Sequence, residues 1–71
     1  NKQQSKKLKI AINNLTEPQN QIIYLVDIEE LSYKEICKIF DMSLSQVKTL
    51  IHRGRKKLKN ILMKEVNNYN G

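Results

Sequence analysis

Three short stretches constrain this chain more than anything else in it: Thr16-Glu17-Pro18-Gln19, Ser32-Tyr33-Lys34-Glu35 and Ser43-Leu44-Ser45-Gln46. In each, a hydroxyl residue is followed three places on by Glu or Gln. That is the spacing at which the hydroxyl oxygen accepts from a first-turn backbone N–H while the longer side chain reaches back to the N–H of the cap. One match is common by chance. Here each stands just ahead of a run whose apolar residues recur every three or four positions, and Gly occurs only at 54 and 71, Pro only at 18. No alternation of strand type persists, so the pattern predicts an all-α fold.

Four helices follow. The first is expected over Lys6 to Asn13, with Leu8, Ile12 and Leu15 inward. The second runs from Glu17 to about Glu29, with Pro18 in its first turn, where a missing N–H costs nothing, and with Ile22, Ile23, Leu25, Val26 and Ile28 as its apolar set. The third, Tyr33 to Phe40, turns Ile36, Cys37 and Phe40 to one side. The fourth runs from Leu44 to about Val66, with Val47, Leu50, Ile51, Leu58, Ile61 and Leu62 inward. Gly54 falls on that same inward stripe. A helix-interior Gly costs roughly 1 kcal/mol against Ala, so its expected use is close approach by a neighbouring helix. Residues 1–5 and 67–71 read as flexible ends.

Only Asp41-Met42-Ser43 links the third and fourth helices. A short helix, a tight turn and a longer helix make a helix-turn-helix. The expected architecture is a compact four-helix domain with a long basic recognition helix at its C-terminal end. At 71 residues the chain is one domain; it begins at Asn1, not Met, and reads as part of something longer.

The formal net charge is +6 and the sequence pI about 9.6, which points to a polyanionic partner. Distribution sharpens this. Between Met42 and Lys64 the charged residues are Lys48, Arg53, Arg55, Lys56, Lys57, Lys59 and Lys64, all basic, whereas Glu17, Asp27, Glu29, Glu30, Glu35 and Asp41 lie upstream. A second, looser basic group is Lys2, Lys6, Lys7 and Lys9. One cysteine, Cys37, excludes an internal disulfide and reads as core filling. One histidine, His52, falls short of a zinc ligand set, and no cofactor is expected. No apolar run reaches the roughly 20 residues a membrane span requires, so a cytoplasmic, non-membrane protein is expected. Nor is there a nucleophile–base pair or Gly-rich phosphate loop to suggest an enzyme.

The helical period fixes what the fourth helix shows to solvent: Ser45, Gln46, Lys48, Thr49, His52, Arg53 and Lys56, with Arg55, Lys57 and Lys59 further round. In a helix-turn-helix the second helix enters the DNA major groove with its N-terminal residues at the base edges. Gln46 can pair with the N6/N7 edge of adenine, complete the cap of its own helix, or do both. Lys48 and Thr49 reach base edges or flanking phosphates, and Arg53 can fork onto guanine or clamp a phosphate. Lys56, Lys57 and Lys59 lie further along the helix as expected phosphate contacts, which position the protein without reading sequence. His52 reads as exposed or phosphate-touching. Ser43 leaves free backbone N–H groups at the helix start, a further phosphate-binding feature. The candidate DNA-binding set is therefore Ser43, Ser45, Gln46, Lys48, Thr49, His52, Arg53, Arg55, Lys56 and Lys57. Tyr33 is expected at the edge of the third helix. Tyr24 is either core or part of a protein-binding surface.

These segments resemble a known family. Leu15-Thr16-Glu17-Pro18-Gln19-Asn20-Gln21-Ile22-Ile23-Tyr24-Leu25, Leu31-Ser32-Tyr33-Lys34-Glu35-Ile36 and the block Met42 to Leu58 are similar to the C-terminal promoter-binding domain (region 4) of sigma factors. The likeness is strongest to the extracytoplasmic-function group, and the abundance of Asn, Lys and Ile, which hints at an AT-rich genome, suits the divergent clostridial toxin-gene sigma factors. The chain departs from the family pattern where Cys37 and Gly54 replace Ala, and where Leu50 and Gln21 replace Arg. The resemblance implies binding to the promoter −35 element in double-stranded DNA, tethering to core RNA polymerase through the flap of the β subunit, and in many members capture by an anti-sigma protein; the domain would be monomeric. A LuxR-type dimeric helix-turn-helix regulator is the alternative, and would need a dimerising fourth helix and a palindromic site. A membrane-surface amphipathic helix over Ser45 to Val66 is the weaker rival, since its apolar face is accounted for by packing and no Trp anchors it.

Overall fold

The computed structural model describes the backbone of residues 2–70 and the side chains of residues 6–64. The chain folds as α1 (Lys2–Asn13), α2 (Gln19–Ile23) continued by a π-helical turn (Tyr24–Ile28), α3 (Tyr33–Phe40) and α4 (Leu44–Asn70). Among the described residues there is no strand, so the expected all-α helix-turn-helix architecture is the one observed. The expectation of flexible ends at 1–5 and 67–71 falls outside the described side chains.

Two of the three caps form as their spacing dictates. Before α3, Glu35 N–H donates to Ser32 Oγ (3.1 Å) and Ser32 N–H donates to Glu35 Oε1 (3.2 Å). Before α4, Gln46 N–H donates to Ser43 Oγ (3.1 Å) and Ser43 N–H to Gln46 Oε1 (2.9 Å). Such pairs satisfy donors that a helix start otherwise leaves open, and each Ser is worth on the order of 1 kcal/mol over Ala. Between the two helices Asp41 adopts the left-handed region (φ 53°), and Met42 N–H returns to Cys37 O (3.0 Å). This closes α3 tightly and turns the chain into α4.

The third expected cap does not form. Helix α2 starts at Gln19, not Glu17; Pro18 occupies the N-cap position and no side chain caps it. The first-turn donors find other partners: Asn20 N–H donates to Thr16 O (3.1 Å), Ile22 N–H to Pro18 O (3.0 Å) and Gln21 N–H to the Asn20 side-chain Oδ1 (2.7 Å). Gln19, which would have reached back to the cap, turns inward. It is 5% exposed, and its Nε2 donates to the Leu50 carbonyl of α4 at 3.2 Å. Burial of its stem between two helices competes with, and here outweighs, a solvent-exposed cap.

The second helical run ends at Ile28, about where expected, but with a changed geometry. Its last turn widens to i→i+5 bonding, with Glu29 N–H donating to Tyr24 O (3.2 Å), and the chain then leaves through Glu30 at φ 61°. Ile22 and Ile23 are fully buried, whereas Leu25, Val26 and Ile28 are half-buried.

The core has two parts. Ala11, Ile12, Leu15, Ile23 and Leu58 join α1 and α2 to the middle of α4. Ile22, Ile36, Val47 and Ile51 join α2 and α3 to its beginning. Helix α4 runs through both parts, with Leu50, Ile61 and Leu62 half-buried as expected of its inward stripe. Between them sits Gly54, where a Cβ would collide with Ile23 Cδ1 and stand 3.0 Å from Gln19 Cγ. The close approach read from the sequence is real, and Gly54 allows α2 to lie against α4 at this point. Each fully buried Ile or Val contributes about 1.5–3 kcal/mol. The arrangement thereby clamps one side of α4 and leaves its other side to solvent.

Candidate nucleic-acid interface

The predicted set is exposed throughout: Ser43, Ser45, Gln46, Lys48, Thr49, His52, Arg53, Arg55, Lys56 and Lys57 all face solvent. With about 100° between successive helical residues, Ser45, Thr49, His52, Arg53 and Lys56 share the arc opposite buried Val47, Ile51, Gly54 and Leu58. Lys48 and Arg55 lie on one flank of that arc, and Gln46 and Lys57 on the other. From Leu44 to Lys64 the helix carries no acid. Charges spaced along one exposed, acid-free face add their fields rather than cancel.

Three of these side chains are already bonded within the protein: the capping pair Ser43 and Gln46, and Arg55. Gln46 Oε1 accepts from Ser43 N–H, but a carbonyl oxygen has a second lone pair, and the two Nε2 hydrogens remain to donate. The cap and an adenine edge are thus compatible, and the cap holds Gln46 in place at the start of the helix. Arg55 is the other case. Its Nη2 lies 2.6 Å from Asp27 Oδ1, and its Nε donates to Asp27 Oδ2 at 3.5 Å, across 28 residues of sequence. The Arg55 side chain is 50% exposed and that of Asp27 22%. The hydrogen bond to the Asp27 carboxylate, with a smaller contribution from Tyr33, pushes the Arg55 pKa up. Arg55 is therefore a fork clamped by Asp27 with half of its side chain still exposed, and part of its charge is neutralised inside the fold. The acid sits in the π-helical turn and could not be assigned to α4 by any local rule.

Three smaller expectations meet the structure. Cys37 is half-buried against the α2–α3–α4 core, as is Tyr33; both read as packing residues. Tyr24, for which the sequence left two readings, packs partly on the α1–α2–α4 core and also lines an apolar groove with Ile10, Ile12, Leu25 and Phe40. That groove is formed by α1, α2, its π-helical extension and the end of α3, not by α4. Two cations not singled out from sequence, Lys34 and Lys38, are exposed one turn apart on α3; their i, i+4 spacing was the available signal. Among the described residues no cluster of His, Cys, Asp and Glu could hold a metal ion, and no helix is long and apolar enough to cross a membrane.

Comparison with known proteins adds to this geometry. The family described as "Sigma-70, region 4" matches residues 5–58. The RNA polymerase sigma factor YlaC of Bacillus subtilis (strain 168) is 37% identical over 60 residues, which is 84% of this chain and 35% of that protein. The ECF RNA polymerase sigma factor SigE of Mycolicibacterium smegmatis is 39% identical over 57 residues, 80% of this chain and 22% of that protein. The chain thus spans about a third or less of the relatives it matches. No solved structure matches it significantly. The matched family favours the first of the two helix-turn-helix readings over the LuxR type.

Proposed function

We propose that this chain, which belongs to the sigma-70 region 4 family, binds the promoter −35 element in double-stranded DNA and helps to direct RNA polymerase to the start of transcription. The observation that carries the reading is the acid-free, cationic outer face of α4 behind a capped first turn, with the opposite face locked into two cores. A helix held in this way can lay its N-terminal turns in the major groove without rearranging. Gln46, Lys48, Thr49 and Arg53 would reach base edges. Ser43, Ser45, His52, Lys56 and Lys57 would flank them as phosphate contacts, and Arg55 would contribute the exposed part of its side chain.

Core RNA polymerase is the proposed protein partner, through the flap of its β subunit. The apolar groove supports this, because it lies on elements other than the DNA-facing helix, so protein and DNA could be held at once. The same side would serve an anti-sigma protein. A single recognition helix makes few base contacts, so full affinity would come from tethering, which raises the effective concentration. The domain would act as a cytoplasmic monomer.

The test is selection of bound duplexes from random-sequence DNA, followed by selection with Gln46→Ala and Arg53→Ala. A preferred sequence is expected, with each variant relaxing it at one position and losing roughly 1–3 kcal/mol there. Recovery of no preferred sequence by the unaltered chain would count against the reading. Dimers that form with rising concentration in sedimentation would favour the LuxR-type alternative.

A further inference from the structure

Leu44 is the first residue of α4, and it is 48% exposed. Among the described residues it belongs to neither of the two apolar cores. Three other large apolar side chains are comparably exposed: Ile10, Ile39 and Met63. Ile10 borders the apolar groove, Ile39 lies on α3, and Met63 is far along α4. Leu44 alone of the four stands in the first turn of the recognition helix. The position follows Ser43 and precedes Gln46, whose reciprocal hydrogen bonds fix the backbone of this turn. Lys48, one turn further, shares its flank.

A leucine here leaves about half of its apolar surface to water, where that half gains nothing from burial. In the major groove it has one suitable target. Thymine presents an apolar C5-methyl group at the groove edge, whereas the other bases present donors and acceptors there that an isobutyl group would desolvate without replacing. Leu44 is held on a capped, ordered turn, so little conformational freedom remains to be lost when it makes that contact.

We propose that Leu44 is a specificity-determining residue that selects thymine, by packing its side chain against the C5-methyl group at one position of the recognised site. The inference rests on the DNA-binding reading above and goes beyond it in assigning an apolar contact to one residue. Its test removes only the methyl group. In the duplex selected by this chain, each thymine is replaced singly by uracil, and affinity is measured by fluorescence anisotropy for the unaltered chain and for Leu44→Ala. One replacement is expected to weaken the unaltered chain about fourfold, the factor carried by burial of one methyl group. Leu44→Ala should bind the thymine duplex more weakly by a similar factor and be indifferent to uracil at that position alone. An exposed side chain can be truncated without loss of the fold, and circular dichroism of the variant checks this. If no thymine shows this masking, or if Leu44→Ala binds as the unaltered chain does, Leu44 does not read a base, while a sequence preference altered by Gln46→Ala or Arg53→Ala would leave the DNA-binding reading standing. If the selection yields no preferred sequence, both fall together.

Discussion

Gln19→Glu is a nearly isosteric change with a sharp expected consequence. Gln19 is 5% exposed and donates from Nε2 to Leu50 O at 3.2 Å, beside the point where Gly54 lets α2 and α4 meet. A carboxylate there has no proton to donate and would face a carbonyl oxygen in a poorly solvated gap. A protonated carboxyl could donate to Leu50 O and restore the bond. Burial and the lost donor both favour the neutral form, so the folded-state pKa of the introduced carboxyl rises above its unfolded value of about 4.3. A group raised in this way leaves stability intact below the unfolded pKa and removes it as pH climbs toward the folded one. Each pH unit is worth about 1.4 kcal/mol, so the deficit at pH 7 reaches at most about 3.7 kcal/mol if the folded pKa is 7 or higher. A domain of this size has roughly 4–10 kcal/mol in all, and 1 kcal/mol moves its Tm by about 4–8 °C. Thermal melts followed by far-UV circular dichroism should therefore show Gln19→Glu close to the unaltered chain near pH 4 and progressively lower as pH rises, by up to about 15–30 °C at pH 7. Gln19→Leu is the control. It forfeits one hydrogen bond but also removes Gln19 Oε1, a buried atom with no partner, and should stay within about 1 kcal/mol of the unaltered chain. Parallel pH profiles for Gln19→Glu and the unaltered chain would refute burial of Gln19 against α4.

Gly54→Leu forces a side chain into Ile23 and Gln19 and should abolish cooperative unfolding or lower stability by about 3 kcal/mol or more. Gly54→Ala gains helix propensity but its Cβ collides with buried Ile23 Cδ1 and crowds Gln19, so it should cost about 1–2 kcal/mol, less than Gly54→Leu; urea titrations distinguish the two. Glu30 is exposed and sits at φ 61°, so Glu30→Gly should stabilise the domain by about 0.5–1 kcal/mol, seen as a raised Tm. Replacing Lys56 or Lys57 by Ala should weaken binding to all duplexes alike and reduce the salt slope by about one unit each; a loss confined to one sequence would move that residue among the base readers.

The chain's own sequence determined the helices, the bounds of α3, the start of α4, the turn between them and the outward cationic arc. These rest on interactions between residues no more than about four apart, namely caps that join Ser32 to Glu35 and Ser43 to Gln46 and a stripe repeating every 3.6 residues. Even the role of Gly54 was legible, because a glycine on an apolar stripe has few other uses. Tertiary structure decided the rest. Gln19 abandoned its cap for Leu50, 31 residues away. Asp27 took hold of Arg55 across 28 residues, and the last turn of the second helix widened. Leu44 was left outside both cores. For Gln19 a local cap preference worth about a kilocalorie competed with burial between distant segments, and the outcome depended on how closely α2 could approach α4, a distance that no local pattern encodes.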